Sequence, residues 1–516
     1  MTEIKLAKQE QIKVDSKFLK GNIAKELADS SIHEISDEAY ELLKFHGTYF
    51  GYNRDTATER KKLKLEKEYE FMVRTRIPGG RMTAEQYLAM DDLADKYANG
   101  TLKITTRQVF QYHVVLKDNL KHHIAAINKT LLSTQSGCGD VVRNITASPA
   151  PYKNAKYDRL RSDVEKVAAF VRPKTSSYNE LWLDEQADEV RERVIVDSTE
   201  PGKGEEYEPL YGATYMPRKF KIGLILPEDN SVDVYTHDLG IVLIFEGGKL
   251  KGYNILIGGG MGMDHEGKLE WKDKKTYPRV ADPIAFVGPE ELIPAVEAVV
   301  KLQRDYGDRT NRKHARLKYL VAEKGLDWAR KTLQEYFSKA GGGKLQDPVK
   351  FDVKIPSHMG WHEQGDGKLF LGIKVPSGRV VDYDREKDQS GYAQHVTERF
   401  AKSKYRTGLR EIVKQFKPEV ILTPTGEMIL AEIKPENKAG IEALMKKYNI
   451  FPAEDFTAME THFFTCVALP TCAKALAESE RVQFPIMRDV QEAMNKHGVG
   501  KEKITVRVTG CPNGCA

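Results

Sequence analysis

The stretch Tyr69-Glu-Phe-Met-Val-Arg-Thr-Arg-Ile-Pro-Gly-Gly80 decides the fold. Up to Ile77 it alternates apolar and polar residues, the period of a half-buried strand, and Pro78-Gly79-Gly80 turns it. Ala84 to Ala98 follows with the period of an amphipathic helix and stops at Asn99-Gly100. Thr101 to His113 then reads as a returning strand. The unit recurs. Lys368-Leu-Phe-Leu-Gly-Ile-Lys-Val-Pro-Ser-Gly378 repeats the strand and its turn, with Pro376 standing where Pro78 stands. A helix around Leu409 to Phe416 and a strand from Val420 to Leu430 complete the second copy. Two similar halves about 300 residues apart predict a duplication whose copies pack as a pseudo-twofold pair. Their charges differ. Arg74 aligns with Gly372, Lys103 with Ile421 and Arg107 with Thr425, so only the first copy is equipped to hold an anion.

Between the copies, residues 147 to about 345 read as a mixed α/β region. Arg218-Lys-Phe-Lys-Ile-Gly-Leu-Ile-Leu226 is expected to be a strand with a cationic first half. Tyr253-Asn-Ile-Leu-Ile-Gly-Gly-Gly-Met-Gly262 is expected to be a strand running into a glycine loop that lets a flat or anionic ligand approach the backbone. The loop does not fit G-x-G-x-x-G followed by a helix, and no flavin or nicotinamide motif is present. The basic segment from Arg304 to Lys318 reads, on composition alone, as a solvated helix face, and the run Arg60-Lys-Lys-Leu-Lys64 as a solvated surface.

The last fifth of the chain carries the cysteines. Four of five fall in two pairs, Cys466-Val-Ala-Leu-Pro-Thr-Cys472 and Cys511-Pro-Asn-Gly-Cys515, with 38 residues between the pairs. Four thiolates on tight turns suit zinc or an iron–sulfur cluster, and the five-residue gap in the first pair favours iron–sulfur. Two disulfides or buried reduced thiols are the bland alternative. Cys138, outside this scheme, reads as an ordinary buried thiol.

Composition bounds the rest. A length of 516 with 40% hydrophobic and 30% charged residues is that of an ordinary soluble globular chain of several domains. The formal charge of +5 is not gathered into a stripe, which argues against nucleic acid as a partner. No apolar run approaches the roughly 20 residues of a membrane span, and the first residues lack a secretory apolar core. With few cysteines, four of them committed to a site, a cytoplasmic location is expected.

These motifs together resemble the sirohaem nitrite and sulfite reductase family, specifically its sulfite reductase haemoproteins. The resemblance runs from about Phe45 to Ala516. It is carried by Arg74-Thr-Arg-Ile-Pro-Gly-Gly80, Thr105-Thr-Arg-Gln108, Gly139-Asp-Val-Val-Arg-Asn144, Pro217-Arg-Lys-Phe-Lys221, Gln303-Arg-Asp-Tyr-Gly307 and the two cysteine motifs. It implies an α+β fold: duplicated ferredoxin-like half-domains in pseudo-twofold symmetry, plus two α/β lobes binding sirohaem and cluster. The segments expected are an extension at 1–62, half-domains at 63–146 and 346–433, a sirohaem and substrate domain at 147–345 and a cluster domain at 434–516.

The resemblance also implies a 4Fe–4S cluster on Cys466, Cys472, Cys511 and Cys515, with Cys515 bridging to the sirohaem iron. It implies substrate binding by Arg74, Arg143, Lys219 and Lys221, the lysines as proton sources. Cofactor contacts are expected from Lys103, Arg107, Gln111, His113, Arg218 and Arg316, which overrides the bland reading of the 304–318 segment. The implied reaction is reduction of sulfite to sulfide, with electrons from a partner, either an NADPH flavoprotein subunit or a ferredoxin. Ferredoxin-dependent nitrite reductase is the alternative, disfavoured by Lys221, where nitrite reductases tend to asparagine. A zinc-stapled binding protein is the alternative outside catalysis.

Three departures from the family pattern stand out. Phe50-Gly-Tyr-Asn-Arg-Asp55 replaces the usual Gln-Gln-Asp-Asp-Arg-Asp, and Pro424-Thr-Gly-Glu427 replaces Ala-Asn-Gln-Asn. Relatives also continue for some tens of residues past the last cysteine, so a cluster lobe closing at Ala516 is expected to be short of core or completed by further polypeptide.

Overall fold

The two copies of the quoted unit fold as halves that trade strands. The computed structural model describes residues 5–183, 207–264, 275–384 and 391–516. The first half builds a five-stranded antiparallel sheet from β1 (Thr48–Tyr52), β2 (Tyr69–Arg74), β4 (Leu102–Ile104) and β5 (Phe110–Val115). Its fifth strand, β13 (Arg379–Val380), comes from the second half and pairs Arg379 with Lys103. Reciprocally, the sheet of β11 (Gly360–Glu363), β12 (Leu369–Lys374), β14 (Glu419–Leu422) and β15 (Glu427–Ile433) takes β3 (Arg81–Met82) from the first half, with Arg81 opposite Ile421.

The correspondence reaches the backbone torsions. Gly79 and Ser377 occupy the same turn at φ +62° and +45°. A register shift between Phe71 and Val73 is matched by one between Leu369 and Leu371. Helix α1 (Ala84–Tyr97) opens on a Thr83/Gln86 capping box and lies against α2 (Tyr405–Phe416), whose Arg406 and Arg410 reach the buried Asp91 of α1 at 2.6 and 2.7 Å.

The strand expected over 101–113 is instead the hairpin β4–β5, and the one over 420–430 is the hairpin β14–β15. Thr105 N–H donates to the Val109 carbonyl at 3.1 Å across a turn in which Gln108 takes φ +55°. The equivalent turn sets Gly426 at φ +79°. The first turn, Thr-Thr-Arg-Gln, contains neither Gly nor Pro, so β-propensity runs through it unbroken. What holds it is tertiary: the buried Gln108 amide donates to the Leu422 carbonyl at 3.0 Å and accepts from Ala147 N–H at 2.8 Å.

The third sheet, in spatial order β10 (Asp282–Val287), β9 (Lys249–Ile257), β8 (Leu239–Glu246), β7 (Ile222–Ile225) and β6 (Thr146–Ala147), is mixed, with β6, β7 and β8 parallel. The cationic run Arg218–Lys221 therefore precedes its strand. The glycine loop at 258–260 follows β9, and a side chain at Gly260 would strike the Arg316 guanidinium, so the loop's close approach serves the protein's own arginine. Helix α3 (Leu292–Tyr306) covers this sheet, and the basic segment after it is loop to Arg316, then helix Leu317–Lys324.

A last pair, β16 (Phe463–Thr465) and β17 (Val506–Val508), is parallel, so both strands deliver the chain to the same end. Cys466 follows the first strand and Gly510-Cys511 the second. That pairing is why the two cysteine loops meet.

Candidate active site

One cavity of about 280 Å³ is walled by both cysteine loops on one side and by the first half-domain and the Arg218–Lys221 run on the other. All four loop cysteines line it, as do Arg74, Lys103, Arg107, Gln111, His113, Arg143, Lys219 and Lys221. Local structure explains each placement. Arg74 ends β2 opposite Gln111 of β5. With its amide oxygen turned toward the guanidinium, Gln111 accepts from Arg74 Nε at 3.0 Å. Arg74 also reaches Cys138 Sγ at 3.0 Å. Arg107 sits at the tip of the β4–β5 hairpin, which a continuous strand would not have presented. Residues 141–143 pair with Phe220 (Arg143 N–H to its carbonyl, 2.9 Å), and this sets Arg143 beside the two lysines at alternate positions of an extended run.

The electrostatics are one-sided. Seven cations (the six above and Lys474) face one carboxylate, Glu70, which burial pushes up to about 7. Burial, then Arg316 and Arg107, pull Lys221 down to about 7. Burial and the neighbouring Lys221 hold Lys219 well below the ordinary lysine value. Arg107 is lowered to about 9 by burial and Arg143. His237 fixes Arg107: its Nδ1–H donates to the Asp233 carbonyl at 3.2 Å, leaving Nε2 to accept from Arg107 Nη1 at 2.7 Å.

Two expected cofactor residues lie outside this lining. Arg218 faces a neighbouring hollow near Asp140, at 3.9 Å. Arg316 is buried behind Lys221, its Nη2 on both Asp238 oxygens at 2.9 and 2.8 Å, while Asp238 also accepts the Lys221 backbone N–H at 3.0 Å. Lys103 lines the cavity but is committed to the Ser377 carbonyl (2.5 Å), Glu480 (3.0 Å) and the Thr465 carbonyl (3.3 Å). Arg379 grips Glu480 with Nε and Nη2 at 2.9 and 2.8 Å and approaches His113 Nδ1 at 3.2 Å. Glu480 and Arg379 are fully buried. Sequence reasoning missed His237, Asp238, Arg379 and Glu480. Their only signal is three-dimensional, since each closes a hydrogen bond to a residue remote in sequence.

The cysteines are free thiols, which removes the disulfide alternative. Gly510 N–H donates to Cys466 Sγ at 3.3 Å and Asn513 Nδ2 to Cys511 Sγ at 3.4 Å, the kind of bonds that stabilise thiolate ligands. Burial, opposed in part by neighbouring N–H donors, raises Cys466 and Cys472, and the other loop cysteines add to the rise. Among the described residues no three His, Cys, Asp or Glu converge as a single metal ion would need. All four loop thiols border the same cavity, the donor set that an iron–sulfur cluster takes.

Residues 64–129 match the nitrite/sulfite reductase ferredoxin-like half domain, and residues 177–340 match the nitrite and sulphite reductase 4Fe-4S domain. The chain is 42% identical over 509 residues to the sulfite reductase (NADPH) hemoprotein beta-component of Geobacillus kaustophilus, covering 98% of this chain and 82% of that one. The chain belongs to the nitrite and sulphite reductase family. The same component of Methylobacterium nodulans is 40% identical over 513 residues, covering 99% of this chain and 79% of that one. The Mycobacterium tuberculosis NirA protein shares the fold at a TM-score of 0.72 and 20% identity, over 99% of this chain and 82% of that one.

Membership makes this chain an oxidoreductase with sirohaem and a 4Fe–4S cluster as cofactors. The cavity fits them. Sirohaem carries eight carboxylates, and the lining offers seven cations. Arg107 Nε, Thr465 Oγ1 and Thr471 Oγ1 are also buried there without partners. The segment matching the 4Fe-4S domain contains no cysteine, so the cluster thiols come from elsewhere in the chain. Among the described residues no helix is long and apolar enough to cross a membrane.

Proposed function

We propose that the chain is the haemoprotein of an assimilatory sulfite reductase, reducing sulfite to sulfide in this cavity. The observation that carries the reading is the lining itself: seven cations against one carboxylate, closed by two cysteine loops. Sulfur passes from oxidation state +4 to −2, so six electrons enter, and each departing oxygen needs two protons to leave as water. When bound, the sirohaem and cluster supply the electrons. Cys466, Cys472, Cys511 and Cys515 would hold the cluster, Cys515 also the sirohaem iron. Arg107, Gln111 and His113 would face the macrocycle, and Lys103 lines the same wall with its ammonium held by Ser377, Thr465 and Glu480. Arg316 acts one step back, holding Asp238 and through it the Lys221 backbone.

The chain's own residues handle anion and protons. Arg74 and Arg143 present guanidinium N–H donors to an oxyanion. Lys221, pulled down to about 7, and Lys219, held well below the ordinary lysine value, release a proton more readily than an exposed lysine and can regain it from solvent. Lys221 favours sulfite over nitrite as the physiological anion.

The relatives' names include NADPH, and this sequence has no flavin or nicotinamide motif. We therefore assign the electron supply to a separate NADPH flavoprotein subunit in the cytoplasm, with a ferredoxin as the second candidate. Anaerobic assay of the cofactor-loaded protein with a viologen donor tests the activity. Sulfide should form, with kcat/KM for sulfite above that for nitrite. Ammonia from nitrite without sulfide from sulfite would establish the nitrite reading, and a zinc-containing protein without haem absorption would end both.

A further inference from the structure

We propose that a second, smaller hollow beside the cavity is a waiting site for the incoming oxyanion. This rests on the reading above only for the identity of the anion. The hollow, of about 30 Å³, is lined by Lys44, Arg143, Arg218, Arg312 and Lys474 against two carboxylates, Glu41 and Asp140. Both carboxylates are already taken. Glu41 accepts from Lys44 at 2.6 Å, and Asp140 accepts from Arg312 at 2.6 and 3.3 Å with Arg218 and Lys13 each at 3.9 Å. That leaves Arg143, Arg218 and Lys474 facing the hollow, while Lys44 and Arg312 keep further N–H donors at its rim, and among the described residues no third carboxylate lines it. About two waters fit such a volume, the space of one small oxyanion.

The hollow is joined to the cavity through shared walls. Tyr49, Arg143 and Lys474 line both, and the Arg74 guanidinium sits 5.8 Å from the Tyr49 ring centroid. Arg143 holds its place through Nε to the Gly139 carbonyl at 2.8 Å and Nη1 to the Gly137 carbonyl at 3.4 Å, and its side chain lines both spaces. Gly139 takes φ +90° with Phe45 packed where a Cβ would lie, so the floor of the hollow admits no side chain. An anion held by Lys44, Arg312 and Lys474 passes to Arg143 and then to Arg74 without leaving positive potential. Arg218 belongs to this path rather than to the cofactor shell. Such a field raises local anion concentration and on-rate, and salt screens it.

The test uses the cofactor-loaded protein. In a Lys44→Glu variant, kcat/KM for sulfite should fall about tenfold at low ionic strength, with kcat held within about twofold. The gap from wild type should close at about 0.5 M salt. Independently, sulfite or inorganic phosphate should protect Lys44 of the wild-type protein from amine acylation. Unchanged kcat/KM at low salt, or no protection of Lys44 by either anion, overturns the waiting site. The protection arm needs no turnover, so a wild-type protein that fails to reduce sulfite but shows protection retires the activity and keeps the site.

Discussion

Arg81 and Arg379 occupy the same place in the two repeats, each on the short strand exchanged into the other half's sheet, yet they do opposite work. Arg81 lies opposite Ile421 and makes a partly exposed pair with Glu419 at the edge of the second sheet. Arg379 lies opposite Lys103, is fully inaccessible, and with Lys103 clasps Glu480 beneath the first cysteine loop. The second half fills the space that corresponds to the cavity with its own chain, since a side chain at Gly372, the counterpart of Arg74, would strike the His358 carbonyl. One backbone thus supports a polar, ligand-facing half and a closed half. The difference lies in a few side chains rather than in topology.

Removing Lys219 should do most damage. Lys219→Ala is expected to lower sulfite turnover by about 10²–10⁴-fold, the usual worth of a positioned proton donor, with the sirohaem absorption spectrum intact. Wild-type sulfide production by that variant would remove the claim of the Arg218–Lys221 run to the chemistry.

The two exchanged arginines give a matched stability test. Glu480→Gln leaves two buried cations short of their carboxylate and should cost about 3–5 kcal/mol in chemical denaturation. Glu419→Gln, at the exposed counterpart, should cost at most about 1 kcal/mol. Equal costs would erase the distinction between the halves.

Installing a cation in the closed half is a third probe. Ile421 is fully buried, so Ile421→Lys should destabilise by about 3 kcal/mol and create no second anion site, as followed by thermal unfolding and anion titration.

The histidines just ahead of β1 and β11 sharpen the contrast through pH. Burial depresses His46 to about 4, with Nδ1 accepting from Trp182 at 3.0 Å and Nε2–H donating to the Leu19 carbonyl at 3.0 Å. The unfolded chain binds a proton below about 6.5 that the folded site refuses, so this stability is present above 6.5 and is lost as pH falls toward 4, by roughly 3 kcal/mol. His358 runs the other way. Burial lowers it, but Asp229 at 3.1 Å outweighs burial and raises it, so its contribution is present at low pH and lost as pH rises through its folded pKa. His46→Gln should flatten the loss between pH 6.5 and 4 in unfolding curves, and His358→Gln should leave that window in place.

Much of this was legible in the sequence because it is written in local pattern. The repeat, its Pro-Gly turn, the charge asymmetry and the paired cysteines all sit within short windows, and the family resemblance supplied the remaining site residues. The hairpin at Thr105–Gln108 was not legible, because its turn is held by bonds to Leu422 and Ala147 rather than by turn residues. Nor was the commitment of Lys103 and Arg316 to Glu480 and Asp238 visible, since a cation's partner is chosen in three dimensions and the sequence offers 75 carboxylates.

The traded strands also set a timetable. During synthesis β4 emerges with its partner still about 275 residues away, and at 5–20 residues per second the wait for β13 is roughly 15–55 s. Until then the first sheet has an open edge and Lys103 lacks both its strand neighbour and Glu480. The cationic wall of the cavity is therefore completed only after most of the chain has been translated, and a nascent chain arrested before Arg379 would present a sticky sheet edge where the finished protein presents a binding site.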